Sequence, residues 1–234
     1  MTEVTPEQEP EKRQASPPAP KLEWIDSHTH LEHEYPFSVD EYLANARAQG
    51  VRAFITIGTE PGKLARLKEH AELYPDVFFT VGIHPHEAKF LDTAVEAEMA
   101  RLRAHPKCVA VGEIGLDYFY GHSPRDAQLR ALSRQLELAR QWRKPVVIHA
   151  RDAEDDLLRE LTKHADARAH AAVHAAAGGE TTNLKPSRVN SSLPEIGVIH
   201  CFSGTRHFAE ECLKLGFYIS FSGIVTFKTA GALR

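Results

Sequence analysis

The sequence of 234 residues has no apolar run as long as the roughly 18 residues that a membrane-spanning helix needs. We therefore expect no contact with a membrane. Cysteine is scarce, and the three cysteines, Cys108, Cys201 and Cys212, are too widely spaced for a CxxC pair or a paired disulfide framework. This usage indicates a reducing compartment, and we predict that the protein is cytoplasmic.

The sequence also lacks an excess of positive charge, because 28 Lys and Arg residues stand against 32 Asp and Glu residues, for a net charge of -4. A contact with nucleic acid must come from a local basic patch or from bound metal, since the charge of the whole chain opposes it. The N-terminus has no apolar core of the signal-peptide type and is rich in Pro, Glu and Gln. We predict that residues 1–22 form a disordered tail.

From Trp24 onward, short apolar runs rich in β-branched residues alternate with helical patterns. The predicted strands are residues 24–26, 53–59, 77–83, 109–117, 145–150, 196–202 and 217–223. They are apolar nearly throughout, which is typical of a parallel sheet covered on both faces. Regular βα alternation without a Rossmann glycine fingerprint favours an α/β fold of the TIM-type (β/α)8 barrel. The pattern gives about seven βα units, so we expect an incomplete barrel that lacks its eighth strand and whose unpaired edges could promote self-association. The sequence leaves the oligomeric state open.

One segment does not fit the barrel pattern. Residues 23–234 form the predicted barrel domain, but about 30 residues at 166–195 separate a helix from the sixth strand, where connections usually run about 2–6 residues. We predict a flexible surface insertion there. Its neighbourhood holds His164, His170 and His174, which we expect to be solvated rather than bound to metal.

Polar residues with metal-binding side chains recur where the predicted strands end. Asp26-Ser27-His28-Thr29-His30 follows the first strand, and alternation in an extended segment aims His28 and His30 the same way. An H-x-H pair can hold one metal ion through two imidazoles, although such pairs also occur by chance. The later strands add Glu113, His149 and His200. In a parallel barrel the carboxyl ends of the strands carry the active site, so we predict that these five residues converge on a metal site.

The ligand types suggest how many ions are bound. An isolated carboxylate such as Glu113 is costly to bury in so apolar a strand unless it is paired or bound to a cation. Four histidines and one glutamate are too many for one tetrahedral site and suit two ions bridged by the carboxylate. Imidazole suits Zn²⁺, while carboxylate also suits Mg²⁺ and Mn²⁺, so we expect two divalent metal ions drawn from these three elements.

Five ordered motifs resemble those of the TatD-type metal-dependent deoxyribonucleases, a family of the amidohydrolase-like barrel superfamily. They are DSHTH (26–30), GIHPH (82–86), GEIGLD (112–117), VIHARDA (147–153) and IHCFSG (199–204). The resemblance implies a divalent-metal nuclease that trims DNA from the 3′ end, with RNA as a further substrate. It also implies that His28 and His30 bind the first metal ion and that His149 and His200 bind the second. Glu113 would bridge the two ions.

The sequence departs from the family pattern at its end. The family continues to a strand that ends in Glu-Thr-Asp-x-Pro-Tyr, whose Asp completes the first metal site, and this motif is not present. We therefore expect a chain truncated at its C-terminus, and a weakly active or inactive remnant of the family is one alternative function. A second alternative within the same superfamily is a deacylase that removes D-amino acids from tRNA by ester hydrolysis.

Further residues lie beside the predicted ligands. We predict catalytic roles for His84, as a contact to substrate, and for Asp117, as an acceptor that orients a ligating histidine. Arg151 could clamp a phosphate by a bidentate contact, and Ser203 could help to cradle one on the loop after His200. A salt bridge at the rim of the barrel or a plain turn would explain these residues equally well. We treat four further histidines as surface residues: His33, His105, His122 and His207.

Overall fold

A computed structural model describes residues 23–176 and 196–233. Seven parallel strands form one sheet in which each strand pairs with the next along the chain. They are β1 (Trp24–Thr29), β2 (Val51–Thr56), β3 (Val77–Val81), β4 (Cys108–Asp117), β5 (Val146–Arg151), β6 (Gly197–Ile199) and β7 (Tyr218–Ile219). The sheet is curled into part of a barrel. The predicted α/β fold of the TIM type is confirmed, and all seven predicted strands are present.

Six α-helices connect the strands. They are α1 (Val39–Ala48), α2 (Leu64–Leu73), α3 (Thr93–Leu102), α4 (Arg125–Trp142), α5 (Glu154–Ala176) and α6 (Arg206–Lys214), with a 3-10 helix at Pro85–Phe90 and two short ones near the C-terminus. Local sequence fixes the start of α1, where Ser38 Oγ accepts the N–H of Glu41 and the Glu41 carboxylate accepts the N–H of Ser38. None of the described helices is long and apolar enough to cross a bilayer.

The core lies between the sheet and the helices that cover it. Phe54, Phe79 and Ile114 on the strands are fully buried against residues such as Leu67 of α2 and Leu136 of α4. Burying one such side chain contributes about 1.5–3 kcal/mol. The apolar strands are therefore the feature of the sequence that determines the barrel, and the polar side chains at their carboxyl ends are left to form a site.

A glycine in β4 lets two strands approach closely beside the predicted site. Gly115 pairs in register with His149 of β5. A Cβ atom at Gly115 would lie 2.0 Å from the carbonyl oxygen of His149, and the glycine has a φ of +153°. Only glycine permits this approach, which holds the backbone of His149 beside β4.

The segment predicted as a flexible insertion begins inside a helix. Residues 166–176 continue α5, while residues 177–195 and the predicted tail at 1–22 lie outside the described residues. The prediction that His164 is solvated was wrong, because its side chain is fully buried and Arg140 Nη1 lies 3.1 Å from its Nδ1. His170 is exposed, as predicted, and the side chain of His174 lies outside the description.

Candidate metal centre

The predicted metal-binding residues come together toward the carboxyl-end side of the sheet. His28 lies near the end of β1, and His30 directly follows it. Glu113 lies within β4, where the pairing with β5 shifts in register between Val111 and Ile114. His149 belongs to β5. His200 follows β6, and its backbone N–H donates a hydrogen bond to a backbone carbonyl oxygen of β5. Side chains from four strands therefore reach one place, as the parallel topology requires.

The Glu113 carboxylate is the centre of this cluster. Its Oε2 lies 3.3 Å from Nε2 of His28, while its Oε1 lies 3.1 Å from Nδ1 of His149 and 3.9 Å from Nε2 of His84. The residue is only 4% exposed. Burial acts to raise the pKa of Glu113, but the hydrogen bonds from His149 and His28 outweigh it and hold the pKa well below its usual range. The two oxygens of one buried, ionised carboxylate thus face two different sets of imidazoles.

Three groups of ligand atoms are close enough to share an ion. They are His28, His30 and Glu113; His84, Glu113 and His149; and His30, Glu32 and His33, with the atoms of each group within 4.8 Å of one another. The first two groups share Glu113, and the first and third share His30. Imidazole nitrogens and carboxylate oxygens are suitable donors for the divalent ions predicted from the sequence.

One buried nitrogen supports the fit to a cation. Nδ1 of His28 is buried and has no hydrogen-bond partner among the described residues, although buried polar atoms are normally satisfied. The donor chemistry and this unsatisfied nitrogen both agree with a site that binds metal.

His200 lies beside this cluster but outside the three groups. Its ring stacks on that of His28, with ring centroids 3.3 Å apart and an interplanar angle of 8°. Burial, followed by the neighbouring His28, lowers the pKa of His200 to about 4, so its imidazole is neutral at pH 7. A neutral imidazole is the form that binds metal.

Asp117 contacts two of the histidines through one carboxylate oxygen. Its Oδ2 lies 2.9 Å from Nε2 of His149 and 3.0 Å from Nε2 of His86. Burial lowers the pKa of His149, but the contacts with Asp117 and Glu113 reverse this effect and raise it to about 9. A carboxylate that accepts from one ring nitrogen directs the other nitrogen of His149 toward Glu113.

His84 presents a hydrogen-bond donor to the same place. The backbone N–H of His86 donates to Nδ1 of His84 at 3.2 Å. Burial lowers the pKa of His84 to about 3, so the ring is neutral and its single proton is on Nε2, which faces Glu113. This tautomer suits a contact to substrate better than it suits metal binding.

The cluster opens into a pocket of about 230 Å³. Its wall is formed by residues from the loops after β1, β2, β3 and by Glu113 of β4: His30, His33, Thr59, Glu60, His84, His86, Glu87 and Glu113. A polar, half-open pocket of this size, rich in imidazole and carboxylate, suits a charged substrate group held beside metal ions.

Comparison with known proteins identifies the family of this chain. A family described as TatD related DNase matches residues 25–234. The chain belongs to the TatD-related DNase family. The metal-dependent hydrolase YabD of Bacillus subtilis is 33% identical over 207 residues, which cover 88% of this chain and 71% of YabD. The crystal structure of YjjV, a TatD homologue from Escherichia coli, superposes with a TM-score of 0.68 at 31% identity and covers 88% of this chain and 71% of YjjV.

The relatives also establish the broad class of chemistry. A protein named 3′-5′ ssDNA/RNA exonuclease TatD, from Klebsiella pneumoniae, is 33% identical over 186 residues, which cover 80% of this chain and 61% of that protein. Together with YabD, it identifies this TatD-family chain as a metal-dependent hydrolase that acts on ester bonds. The resemblance found in the five sequence motifs is thereby confirmed.

Glu32 and His33 form the third possible metal-binding group with His30 in this TatD-family chain. Glu32 was not predicted from the sequence, whereas His33 is exposed, as predicted. Glu32 Oε1 lies 3.3 Å from Nδ1 of His30 and 3.6 Å from Nε2 of His33, and its Oε2 accepts the hydroxyl of Thr56. Although burial acts to raise the pKa of Glu32, the hydrogen bond with His30 lowers it overall. The spacing H-x-H-x-E at residues 28, 30 and 32 was the signal that could have found it.

Neither of the two predicted phosphate contacts lines this pocket. Arg151 ends β5 opposite Asp117, and its guanidinium stands 4.9 Å from the centre of the Phe119 ring. Its side chain is 42% exposed. Ser203 is half-buried on the loop after β6, and no hydrogen bond among the described residues connects it with Glu113. Arg151 therefore stands at the rim of the site, and the phosphate contacts of Arg151 and Ser203 both stay predictions.

Proposed function

We propose that this chain is a nuclease that hydrolyses phosphodiester bonds of single-stranded DNA, or of RNA, from the 3′ end with two divalent metal ions. The observation that carries the proposal is the buried Glu113 carboxylate, whose two oxygens face His28 on one side and His149 on the other. A carboxylate shared in this way suits a bridging ligand. The printed name of the TatD exonuclease relative supports the choice of substrate and polarity.

The residues divide into two ligand sets. His28 and His30 with Glu113 would hold one ion, and His149 with Glu113 would hold the other, with His200 as its further ligand. Mg²⁺, Mn²⁺ or Zn²⁺ suits these donors. Bound there, such ions would supply Lewis-acid chemistry that polarises a phosphoryl oxygen and offsets the charge that develops on the leaving oxygen.

The protein supplies orientation and hydrogen bonds around these ligands. Asp117 accepts from Nε2 of His149 and so keeps Nδ1 directed at the Glu113 side of the site. Nε2–H of His84 is available to donate to a phosphate oxygen of the substrate, because Nδ1 of that ring is already an acceptor. Arg151 stands at the rim, where a bidentate contact to the next phosphate is possible.

We also propose that the protein acts in the cytoplasm. Cys108, Cys201 and Cys212 are all free thiols, as expected in the cytoplasm. A soluble compartment that contains single-stranded nucleic acid would give such an exonuclease its substrate.

The test uses single-stranded oligonucleotides labelled at the 5′ or the 3′ end. We expect hydrolysis that a chelator abolishes and that Mg²⁺ or Mn²⁺ restores, with the 3′ label released first. Glu113→Gln should lower kcat/KM by about 10³-fold or more, because the Lewis acid contributes several kcal/mol to the reaction. Glu34→Gln is the matched control, since Glu34 is exposed on the loop after β1.

Two results would contradict the proposal. Folded wild-type protein that turns over no single-stranded DNA or RNA with any of the three metals would reject the nuclease function. Equal activities of Glu113→Gln and Glu34→Gln would reject the central role of Glu113. An aminoacyl ester offered in parallel separates phosphodiester hydrolysis from deacylation.

A further inference from the structure

Two adjacent aromatic side chains stand in solvent on the loop that follows β4. Phe119 is 56% exposed and Tyr120 is 60% exposed. Their rings meet edge to face, with centroids 4.8 Å apart. Exposed apolar residues are common when scattered singly, but neighbouring rings at the mouth of a site call for an explanation.

The backbone of this loop is held firmly at its start. Asp117 Oδ1 accepts the N–H groups of Phe119 and Tyr120 at 3.1 and 2.9 Å. Asp117 is itself fully buried. The two rings are therefore presented by a backbone that is already in place, which lowers the entropy lost when a partner binds them.

The far end of the same loop is tied down as well. Gln128 Nε2 donates to the carbonyl oxygens of Asp117 and Ser123, which joins the two ends of the loop. Lys89 Nζ donates to the carbonyl oxygen of His122. The exposure of the two rings is therefore a fixed feature of the fold.

The loop is connected directly to the metal centre. The other oxygen of Asp117, Oδ2, contacts His149, so one carboxylate fixes both a ligand candidate and the aromatic loop. The Tyr120 ring lies 5.5 Å from the ring of His86, which lines the pocket. A group that rests on Tyr120 is therefore next to the pocket that contains Glu113.

Cationic side chains accompany these rings, although the chain as a whole has a net charge of -4. Arg151 stands over Phe119 at 4.9 Å, and Lys89 stands over the exposed Phe90 at 5.1 Å. Aromatic faces interleaved with cations are the surface that single-stranded nucleic acids bind, with bases on the rings and phosphates on the cations.

We propose that Phe119 and Tyr120 form a stacking platform for the bases of single-stranded nucleic acid beside the metal centre, with Arg151 contacting the adjacent phosphate. This inference rests on the proposed function and specifies how that site holds its substrate. Stacking accepts every base, so the platform gives preference for unpaired strands without sequence specificity.

The experiment compares two fluorescent strands of equal length and charge, oligo-dT and an abasic phosphodiester strand. Anisotropy measured in chelator gives binding without turnover. We expect wild-type protein to bind oligo-dT more tightly than the abasic strand. The double variant Phe119→Ala/Tyr120→Ala should weaken binding of oligo-dT by about 10-fold or more and leave binding of the abasic strand unaffected.

Two control variants accompany this comparison. The double variant Phe119→Tyr/Tyr120→Phe keeps both rings and should keep the preference for oligo-dT. Trp24→Ala removes an exposed ring at the opposite end of the sheet and should change nothing.

The controls separate this inference from the proposed function. Equal binding of the two strands by wild-type protein, or an equal loss for both strands in the alanine variant, would overturn the platform. A dimer in sedimentation velocity that the alanine variant dissociates would also overturn it, since a second copy would then cover the rings. If wild-type protein prefers oligo-dT through these rings but hydrolyses no strand with metal, the platform stands and the nuclease proposal fails. Unchanged circular dichroism confirms that the variants are folded.

Discussion

Replacing one buried histidine should change how the stability of the protein depends on pH. The side chain of His164 on α5 is fully buried against α4, and Nη1 of Arg140 lies 3.1 Å from its Nδ1. A guanidinium can only donate, so Nδ1 accepts and the imidazole is neutral in the folded protein. Burial, aided by the charges of Arg140 and Arg168, lowers the pKa of His164 from 6.5 to about 3.

The sign and size of the effect follow from proton linkage. Below pH 6.5 the unfolded chain binds a proton at His164, while the folded protein does not bind it until about pH 3. The stabilising contribution is therefore complete above pH 6.5 and is lost as the pH falls, at about 1.4 kcal/mol per pH unit. Between pH 7.5 and pH 5 this one residue should reduce the free energy of unfolding by about 2 kcal/mol, or the Tm by about 4–8 °C.

The assay is urea unfolding at pH 7.5 and pH 5.0 in the presence of chelator. His164→Asn keeps an acceptor for Arg140 but cannot be protonated, so the variant should lose about 2 kcal/mol less than the wild type between the two pH values. His170→Asn, at an exposed position of the same helix, should behave as the wild type does. An equal loss in the wild type and in His164→Asn would mean that unfolding adds no proton at this residue, and the reasoning would be refuted.

Two further variants test how the metal centre is held. Glu32→Gln should weaken divalent-metal binding by about 10–100-fold in calorimetry, because the carboxylate that orients His30 is lost, and an affinity equal to that of Glu34→Gln would argue against this role. Gly115→Ala would bring a Cβ atom to 2.0 Å from the carbonyl oxygen of His149, so we expect insoluble protein or a free energy of unfolding lower by several kcal/mol. A soluble alanine variant with an unchanged Tm would contradict the close approach of β4 and β5.

The strands and the start of the first helix could be predicted because local chemistry determines them. A strand that helices cover must be apolar on both faces, so VFFTV at 77–81 and the other buried runs stand out in the sequence. The ends of strands are less visible. The sixth strand was predicted to reach residue 202 but ends at Ile199, because the next residues leave the ladder and Cys201 has a φ of +46°.

The same difference, between features fixed by local sequence and features fixed by contacts with other elements, separates the site residues that were predicted from those that were not. His28, Glu113 and His149 could be found because parallel strands bring their carboxyl ends together whatever the loops do. Glu32 lies in the turn after β1, and its orientation depends on the Thr56 hydroxyl of the next strand. His164 depends on how α4 and α5 pack, and no local pattern in the sequence reports this contact.

The ionisable side chains around Glu113 explain how the carboxylates and histidines of the site work together. Within residues 23–176 and 196–233, the side chains that pair with Glu113 are histidines, and Asp117 and Glu32 are likewise partnered by imidazoles. An arginine or lysine, which stays charged, would pair with a buried carboxylate and compete with a cation for it. An imidazole holds the carboxylate in place when protonated and can give up its proton to become a ligand. A site built from carboxylates and histidines can therefore hold its carboxylates in place through imidazoles and still offer them to a cation.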